Sequence, residues 1–108
     1  MTPSFELSDQ QRAIHDSVAR VVAGFDAAYW AERDKSGTFP TEFRQAIADG
    51  GWLGIAMPEE VGGAGLGISE AVVMMEAIAN SAGAMAVAGS VHMNIFGPHC
   101  IVALGSDA

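Results

Sequence analysis

The sequence predicts an all-α protein, an up-and-down-like bundle of about five helices that forms a single domain over residues 1–108. Apolar residues recur at intervals of three and four, which is the spacing of one helix face. Clusters of glycine and proline divide the chain into segments of helical length. Half of the 108 residues are hydrophobic, which is enough for one core and too apolar for a disordered chain.

The first helix is predicted to begin after Ser8, which can cap it, because Gln11 follows three residues later in the spacing of a capping box. We expect this helix to end between residues 25 and 35, since the Ser-Gly pair at 36–37 is a stop signal. Its apolar stripe comprises Ile14, Val18, Val21, Val22 and Phe25.

A short second helix is predicted to open at residues 39–42, and the glycines at 50 and 51 end it. Its buried side comprises Phe43, Ala46 and Ile47. The apolar run at residues 52–57 is expected to be extended and packed. Residues 58–67 contain four glycines and a proline, so a tight, mobile loop is expected there.

Two further helices are predicted at residues 69–82 and 84–96, followed by a short one that starts near Pro98 and reaches Leu104. The stripe of the third helix comprises Val72, Met75, Ile78, Ala79 and Ala82. The fourth carries Met85, Ala88, Val91, His92 and Ile95 on one side, and Val87, Ser90 and Asn94 on another.

The composition argues against several partners. The formal net charge is −8, from 13 acidic and 5 basic residues, so nucleic acid and anionic membrane surfaces would be repelled. The single cysteine, Cys100, cannot form an internal disulfide, which fits a reducing, cytoplasmic location. The first ten residues lack the apolar run of a signal peptide.

The charges are unevenly distributed, because residues 77–106 contain no Asp, Glu, Lys or Arg. A bilayer is spanned by about 20 apolar residues, but polar side chains and a Gly-Pro pair interrupt this stretch. We therefore expect no membrane span. The pattern instead indicates a segment buried on more than one side, which so small a domain can hardly enclose alone.

The glycine cluster at residues 62–67 does not satisfy either common nucleotide-binding pattern. A dinucleotide fingerprint needs a glycine three residues after Gly65, where this chain has Ile68, and a preceding strand. A P-loop needs Lys and Ser or Thr after its last glycine, whereas Ile68 follows Gly67.

No metal site or catalytic constellation is predicted from the residues themselves. His92, His99 and Cys100 do not share one helical face, and no further ligand completes a set of four. No serine stands in a nucleophile elbow, and the adjacent acids Glu59 and Glu60 are expected to form a solvated loop end.

The segment at residues 51–67, GWLGIAMPEEVGGAGLG, closely resembles a loop with the pattern G-x-x-G-x-x-x-P-E-x-x-G-G-x-G. That loop is the signature of the N-terminal domain of the acyl-CoA dehydrogenase family. Residues 5–11 resemble the family's opening, residues 33–40 its D-x-x-G-x-F-P turn, and residues 76–79 its E-E-I-A-like helix. The resemblance covers essentially the whole chain.

The resemblance implies the helical N-terminal domain of an FAD-dependent enzyme that oxidises an acyl-CoA thioester to a trans-2-enoyl-CoA. In that family the catalytic glutamate usually lies in a C-terminal helical bundle, and most flavin contacts come from that bundle and from a middle β-barrel. We expect both of these domains to be absent from residues 1–108. The chain alone is therefore expected to carry no catalytic residue, to bind no FAD and to be inactive.

The resemblance assigns one helix of this chain to a substrate site. The family's helix that matches residues 84–96 helps to line the acyl-chain cavity. The candidate substrate-binding residues are therefore Val87, Ser90, Val91 and Asn94. The two polar members favour a short, branched or oxygenated acyl group.

The uncharged segment also predicts self-association, most simply as a dimer, because other domains would cover it in the complete enzyme. The contact is expected among exposed members of Met85, Val91, Ile95, Phe96, Ile101 and Leu104. Three alternatives stay open: a stand-alone helical module that binds itself or a partner, a different flavin reaction on the same scaffold, and a small four-helix ligand or metal binder.

Overall fold

The computed structural model describes residues 6–106, which form six α-helices and two single turns of 3-10 helix and include no strand. The helices are α1 (Asp9–Ala23), α2 (Ala27–Ser36), α3 (Thr41–Asp49), α4 (Ile68–Ala79), α5 (Ala84–Ile95) and α6 (His99–Leu104). The 3-10 turns are Trp52–Gly54 and Glu59–Val61. The predicted all-α class is confirmed.

The predicted capping box begins α1. The backbone amide of Gln11 donates to Ser8 Oγ at 3.1 Å, and the backbone amide of Ser8 donates to Gln11 Oε1 at 3.1 Å. The end of this helix was predicted too late, because Asp26 starts a separate helix. Its carboxylate accepts from the backbone amide of Tyr29 at 2.9 Å and caps α2.

Helix α4 lies at the centre of the core, in contact with both α1 and α5. Its buried residues are Ala71, Val73, Met74, Ala77 and Ile78. The predicted stripe was therefore wrong in part: Ile78 is buried, but Val72 is 53% exposed and Ala82 lies beyond the helix. Nine of the twelve residues of α4 are apolar and lie on both its buried and exposed sides, so the periodicity did not single out the buried face.

Helix α5 packs on α4 through Val87, Ala88, Val91 and Ile95. Val87 was predicted on another side, whereas Met85 and His92, predicted on the packed side, are exposed. The run Ala84–Leu104 is long and apolar enough to cross a membrane: an 18-residue stretch within it has a mean hydropathy of 1.3, and 22% of that stretch is buried. Length and composition do not separate such a span from a core helix, so the absence of a membrane span stays a prediction.

The apolar run at residues 52–57 is not extended, as had been predicted, but turned. The backbone amides of Gly54, Ile55 and Met57 each donate to a carbonyl three residues earlier. These turns direct Ile55 into the core, where it is 1% exposed. Gly63 then passes so close to Met57 that a Cβ atom would collide with the Met57 carbonyl.

A polar cluster joins α2 to α3. The Tyr29 hydroxyl donates to Glu42 Oε2 at 2.9 Å, and Arg33 lies 3.8 Å from the same oxygen and 5.1 Å from the centre of the Tyr29 ring. Burial, and then the hydrogen bond to the Glu42 carboxylate, raise the pKa of Tyr29. The hydrogen bond from the Glu42 backbone amide, and then the hydrogen bond from the Tyr29 hydroxyl, lower the pKa of the Glu42 carboxyl.

The close approach at Gly63 makes a stability prediction. Gly63→Ala should reduce the free energy of unfolding by about 2–3 kcal/mol, because the added methyl group meets backbone that cannot rotate away. The matched control is Gly89→Ala in α5, where a Cβ meets nothing within 4 Å; it should add about 0.5–1 kcal/mol of helix propensity. Urea unfolding followed by circular dichroism measures both, and equal effects would contradict the packing of this loop.

The loss of folding stability at alkaline pH should depend on Tyr29, which is the single tyrosine of the chain. A raised pKa in the folded state means that folding favours the protonated phenol. That contribution is complete below the pKa of the unfolded chain, about 10, and is lost as the pH rises through the folded value. Ultraviolet titration of the phenolate should give a higher midpoint for the folded chain than for the chain in guanidinium.

Glu42→Gln is the control for the source of this shift. Removing the carboxylate charge should lower the folded midpoint, while the burial of Tyr29 should keep it above the unfolded one. If the phenolate of the folded wild-type chain titrated at or below the midpoint of the unfolded chain, the polar cluster of Tyr29, Arg33 and Glu42 would not exist in solution.

Candidate functional site

A largely apolar groove runs beside α5 and consists of two hollows that share a border. The first hollow, of about 470 Å³, lies between α2 and α5 and is bordered by Trp30, Arg33 and Val87 among others. The second, of about 420 Å³, lies between α3 and α5 and is bordered among others by Phe43, Ile47, Leu53, Val91 and Asn94. Phe39, Pro40 and Ser90 border both hollows, and we call the two together the α5 groove.

The four residues predicted from the sequence all border this groove. Val87 lines the first hollow, Val91 and Asn94 line the second, and Ser90 stands at the shared border. Val87 and Val91 are each 4% exposed, so they form part of the core as well as of the groove wall. Ser90 and Asn94 lie at the surface.

The polar atoms of Ser90 and Asn94 are partly used within α5. Ser90 Oγ donates to the carbonyl of Val87 at 2.7 Å, and Asn94 Nδ2 donates to the carbonyl of Ser90 at 3.0 Å. The serine hydroxyl therefore has no hydrogen left to donate, although its oxygen can still accept. This part of the wall suits an apolar group that carries at most an occasional donor.

Charged side chains stand at the edges of the groove. Arg33 and Asp34 border the first hollow and Arg44 borders the second. Arg33 is held by Tyr29 and Glu42, and its Nε is buried and has no hydrogen-bond partner among the described residues. The second hollow thus has fewer charges and more core side chains around it than the first.

The glycine-rich loop does not form a phosphate cradle, because its amides are already used. The amides of residues 62–66 donate in turn to the carbonyls of Glu59, Pro58, Gly54, Met57 and Ile55. A pyrophosphate needs free amides or cations at such a loop. The amides of this loop are therefore not free to bind the pyrophosphate of FAD.

The described part of the chain keeps its polar and charged side chains outside the core. None of its polar or charged residues is buried, whereas a general base usually owes its shifted pKa to a desolvated site. No group of three His, Cys, Asp or Glu residues in residues 6–106 could hold a metal ion. What this region can offer chemically is a shaped apolar wall.

The sequence did not reveal the opposite side of the groove. Trp30, Arg33, Phe39 and Pro40 border it although they lie far from Ser90 in the chain. One signal was present, since a large apolar residue, Phe39, precedes a proline at a predicted helix start. The structure leaves this side chain 59% exposed. Only the packing of α2 and α3 beside α5 brings this turn to Ser90.

Comparison with known proteins identifies the family. The sequence matches the family described as Acyl-CoA dehydrogenase, N-terminal domain, over residues 8–108. It is 36% identical over 103 residues to benzylmalonyl-CoA dehydrogenase of Aromatoleum aromaticum, covering 94% of this chain and 27% of that protein. It is 35% identical over 91 residues to mitochondrial isovaleryl-CoA dehydrogenase of Pongo abelii, covering 82% and 22%.

A putative acyl-CoA dehydrogenase of Bacillus subtilis, YdbM, is 28% identical over 93 residues, which cover 86% of this chain and 24% of that protein. The chain spans about a quarter of the length of the curated relatives it matches. No solved structure matches it. The resemblance noted at residues 51–67 is confirmed by the family match. The chain therefore belongs to the acyl-CoA dehydrogenase family, in which it corresponds to the N-terminal domain.

Proposed function

We propose that this chain is the N-terminal domain of an FAD-dependent acyl-CoA dehydrogenase and that it supplies one wall of the cavity for the acyl group. The observation that carries the proposal is that Val87, Ser90, Val91 and Asn94 all border the α5 groove. The family match supports the reaction class, the α,β-dehydrogenation of an acyl-CoA thioester.

In this proposal the chain binds and orients, and the redox chemistry belongs to other parts of the complete enzyme. Each acyl methylene buried against Val87 and Val91 would contribute about 0.8 kcal/mol through the hydrophobic effect. The wall would also keep water away from the reacting carbons. The 108-residue chain alone is proposed to bind no FAD and to have no dehydrogenase activity.

The proposed substrate class is a short, branched or oxygenated acyl group. Ser90 and Asn94 interrupt the apolar wall, and each hollow of the groove is small, at about 470 and 420 Å³. The relatives are named for different acyl groups, benzylmalonyl and isovaleryl, so their names alone do not select one for this chain. The proposed setting is cytoplasmic, without nucleic acid or membrane as a partner.

A second candidate function, a self-associating helical module, is favoured by one surface. The exposed large apolar residues of the uncharged segment are Met85, Met93, Ile101, Val102 and Leu104. Val91 and Ile95, which were also candidates for the contact, are buried and cannot contribute to it. In a complete enzyme other domains would cover these residues. In the chain alone, a second copy of the chain can bury them by forming a dimer.

The acyl-wall proposal predicts weak binding of a small thioester in the α5 groove. Isobutyryl-pantetheine, which has no nucleotide charge, should shift amide resonances of Ser90 and Asn94 in a ¹H–¹⁵N spectrum of the chain. Ser90→Leu fills the shared border of the two hollows and should weaken binding about tenfold, equivalent to about 1.4 kcal/mol.

Ser69→Leu is the matched control, because Ser69 is exposed at the start of α4 and does not border the groove. It should leave the binding unchanged. Shifts that are spread over the surface, or a loss that is equal in the two variants, would mean that α5 does not form an acyl wall.

The module proposal predicts a dimer at micromolar concentration. Ile101 and Leu104 are 69% and 87% exposed on α6, so the double variant Ile101→Glu/Leu104→Glu should bring charge into the contact and give a monomer. Sedimentation velocity is the measurement. Val72→Glu, on exposed α4 surface outside the uncharged segment, should leave the dimer intact. A wild-type chain that stays monomeric at every concentration would exclude this function.

A further inference from the structure

Phe39 occupies the place where the two hollows of the α5 groove meet. It borders both hollows, as Ser90 does from α5, and it is 59% exposed. A large apolar side chain this exposed gains little from the core of the domain. Its position between two hollows gives it the geometry of a partition.

The turn that carries Phe39 is held at both ends. Gly37 ends α2 in the left-handed conformation, with φ of 68°, and its amide donates to the Arg33 carbonyl at 2.9 Å. The hydroxyls of Ser36 and Thr38 lie 2.7 Å apart, in hydrogen-bond contact. The Phe39 side chain is therefore presented by a fixed backbone.

The residue after Phe39 fixes the other side of the turn. Pro40 restricts its own backbone, and the Thr41 amide donates back to the Phe39 carbonyl at 2.8 Å as α3 begins. Because the hydrogen bonds and the proline restrain this turn on both sides, Phe39 can change rotamer more readily than it can move away. Shortening its side chain should therefore open the passage between the hollows without refolding the turn.

We propose that Phe39 is a specificity-determining residue, which confines the acyl group to the second hollow and excludes long straight chains. The inference rests on the proposed function of the α5 groove. The second hollow is the favoured one, because Phe43, Ile47, Leu53 and Val91 border it, with Arg44 as its one charged neighbour among the described lining residues. Its volume of about 420 Å³ lies near the lower end of the range of small-molecule pockets, roughly 300–1,000 Å³.

Two thioesters of different length test the partition in the chain itself. Isobutyryl-pantetheine should shift the amides of Val91 and Asn94 in the wild-type chain, and octanoyl-pantetheine should bind about tenfold more weakly than in the variant Phe39→Ala, since the open passage buries additional methylenes. In Phe39→Ala, octanoyl-pantetheine should also shift the amides of Gly83 and Val87, which border the first hollow.

Two further variants serve as controls. Phe39→Leu should give an intermediate affinity for the octanoyl thioester and guards against a folding defect in Phe39→Ala. Ile68→Ala removes a partly exposed apolar residue that does not border the groove, and it should change neither affinity. Circular dichroism melting should show all three variants folded.

The outcomes distinguish a failure of the Phe39 proposal from a failure of the acyl-wall proposal. If isobutyryl-pantetheine binds at Val91 and Asn94 but Phe39→Ala leaves the octanoyl affinity unchanged, Phe39 is not the partition and the acyl wall stands. If neither thioester shifts any groove amide in the wild-type chain or in the folded variants, both the partition and the acyl wall are wrong. A gain in octanoyl affinity that shifts only second-hollow amides would also contradict the partition.

Discussion

The burial of α4 between α1 and α5 is the interaction on which the rest of this structure depends. Met74 and Ile78 of α4 and Val18 of α1 are fully buried, and Val87, Val91 and Ile95 of α5 complete the same core cluster. Truncating a fully buried side chain such as Ile78 to alanine would cost about 2–5 kcal/mol, a large share of what a small domain has. The other elements are placed against this three-helix layer: α3 and the turn at Trp52–Gly54 contact each other, and each also contacts one of its outer helices.

This arrangement leaves one end of the chain with little cover. The molecule measures only 19 Å along its shortest axis, about two layers of helices. Helix α6 has no buried residue, although it contains Ile101, Val102 and Leu104. Residues 77–106 carry no charge, so the exposed apolar side chains of α6 have no charged neighbour within this segment. The same thinness creates the α5 groove, since α2 and α3 lie beside α5 without closing over it.

The sequence was sufficient for the fold class, the capping box at Ser8 and the helix that borders the candidate site. It failed where apolar residues lie on both the buried and the exposed sides of a helix: in α4 the stripe was drawn through Val72, and in α5 through Met85, although both are exposed. It also missed the helix that Asp26 starts and the turns at residues 52–57, which depend on single caps and local hydrogen bonds. The partners of Ser90 across the groove, above all Phe39, follow from tertiary packing alone.

We propose that the chain shapes an acyl site and that the redox chemistry belongs to other parts of a complete enzyme. The backbone amides of the glycine-rich loop, residues 62–66, all donate to carbonyls within the chain, and none of the described polar residues is buried. The most direct measurement is equilibrium dialysis of the 108-residue chain against FAD, followed by addition of acyl-CoA while the flavin absorbance is recorded. If the proposal is right, no flavin is retained above background and no bleaching occurs. Stoichiometric retention of FAD that acyl-CoA then bleaches would contradict it.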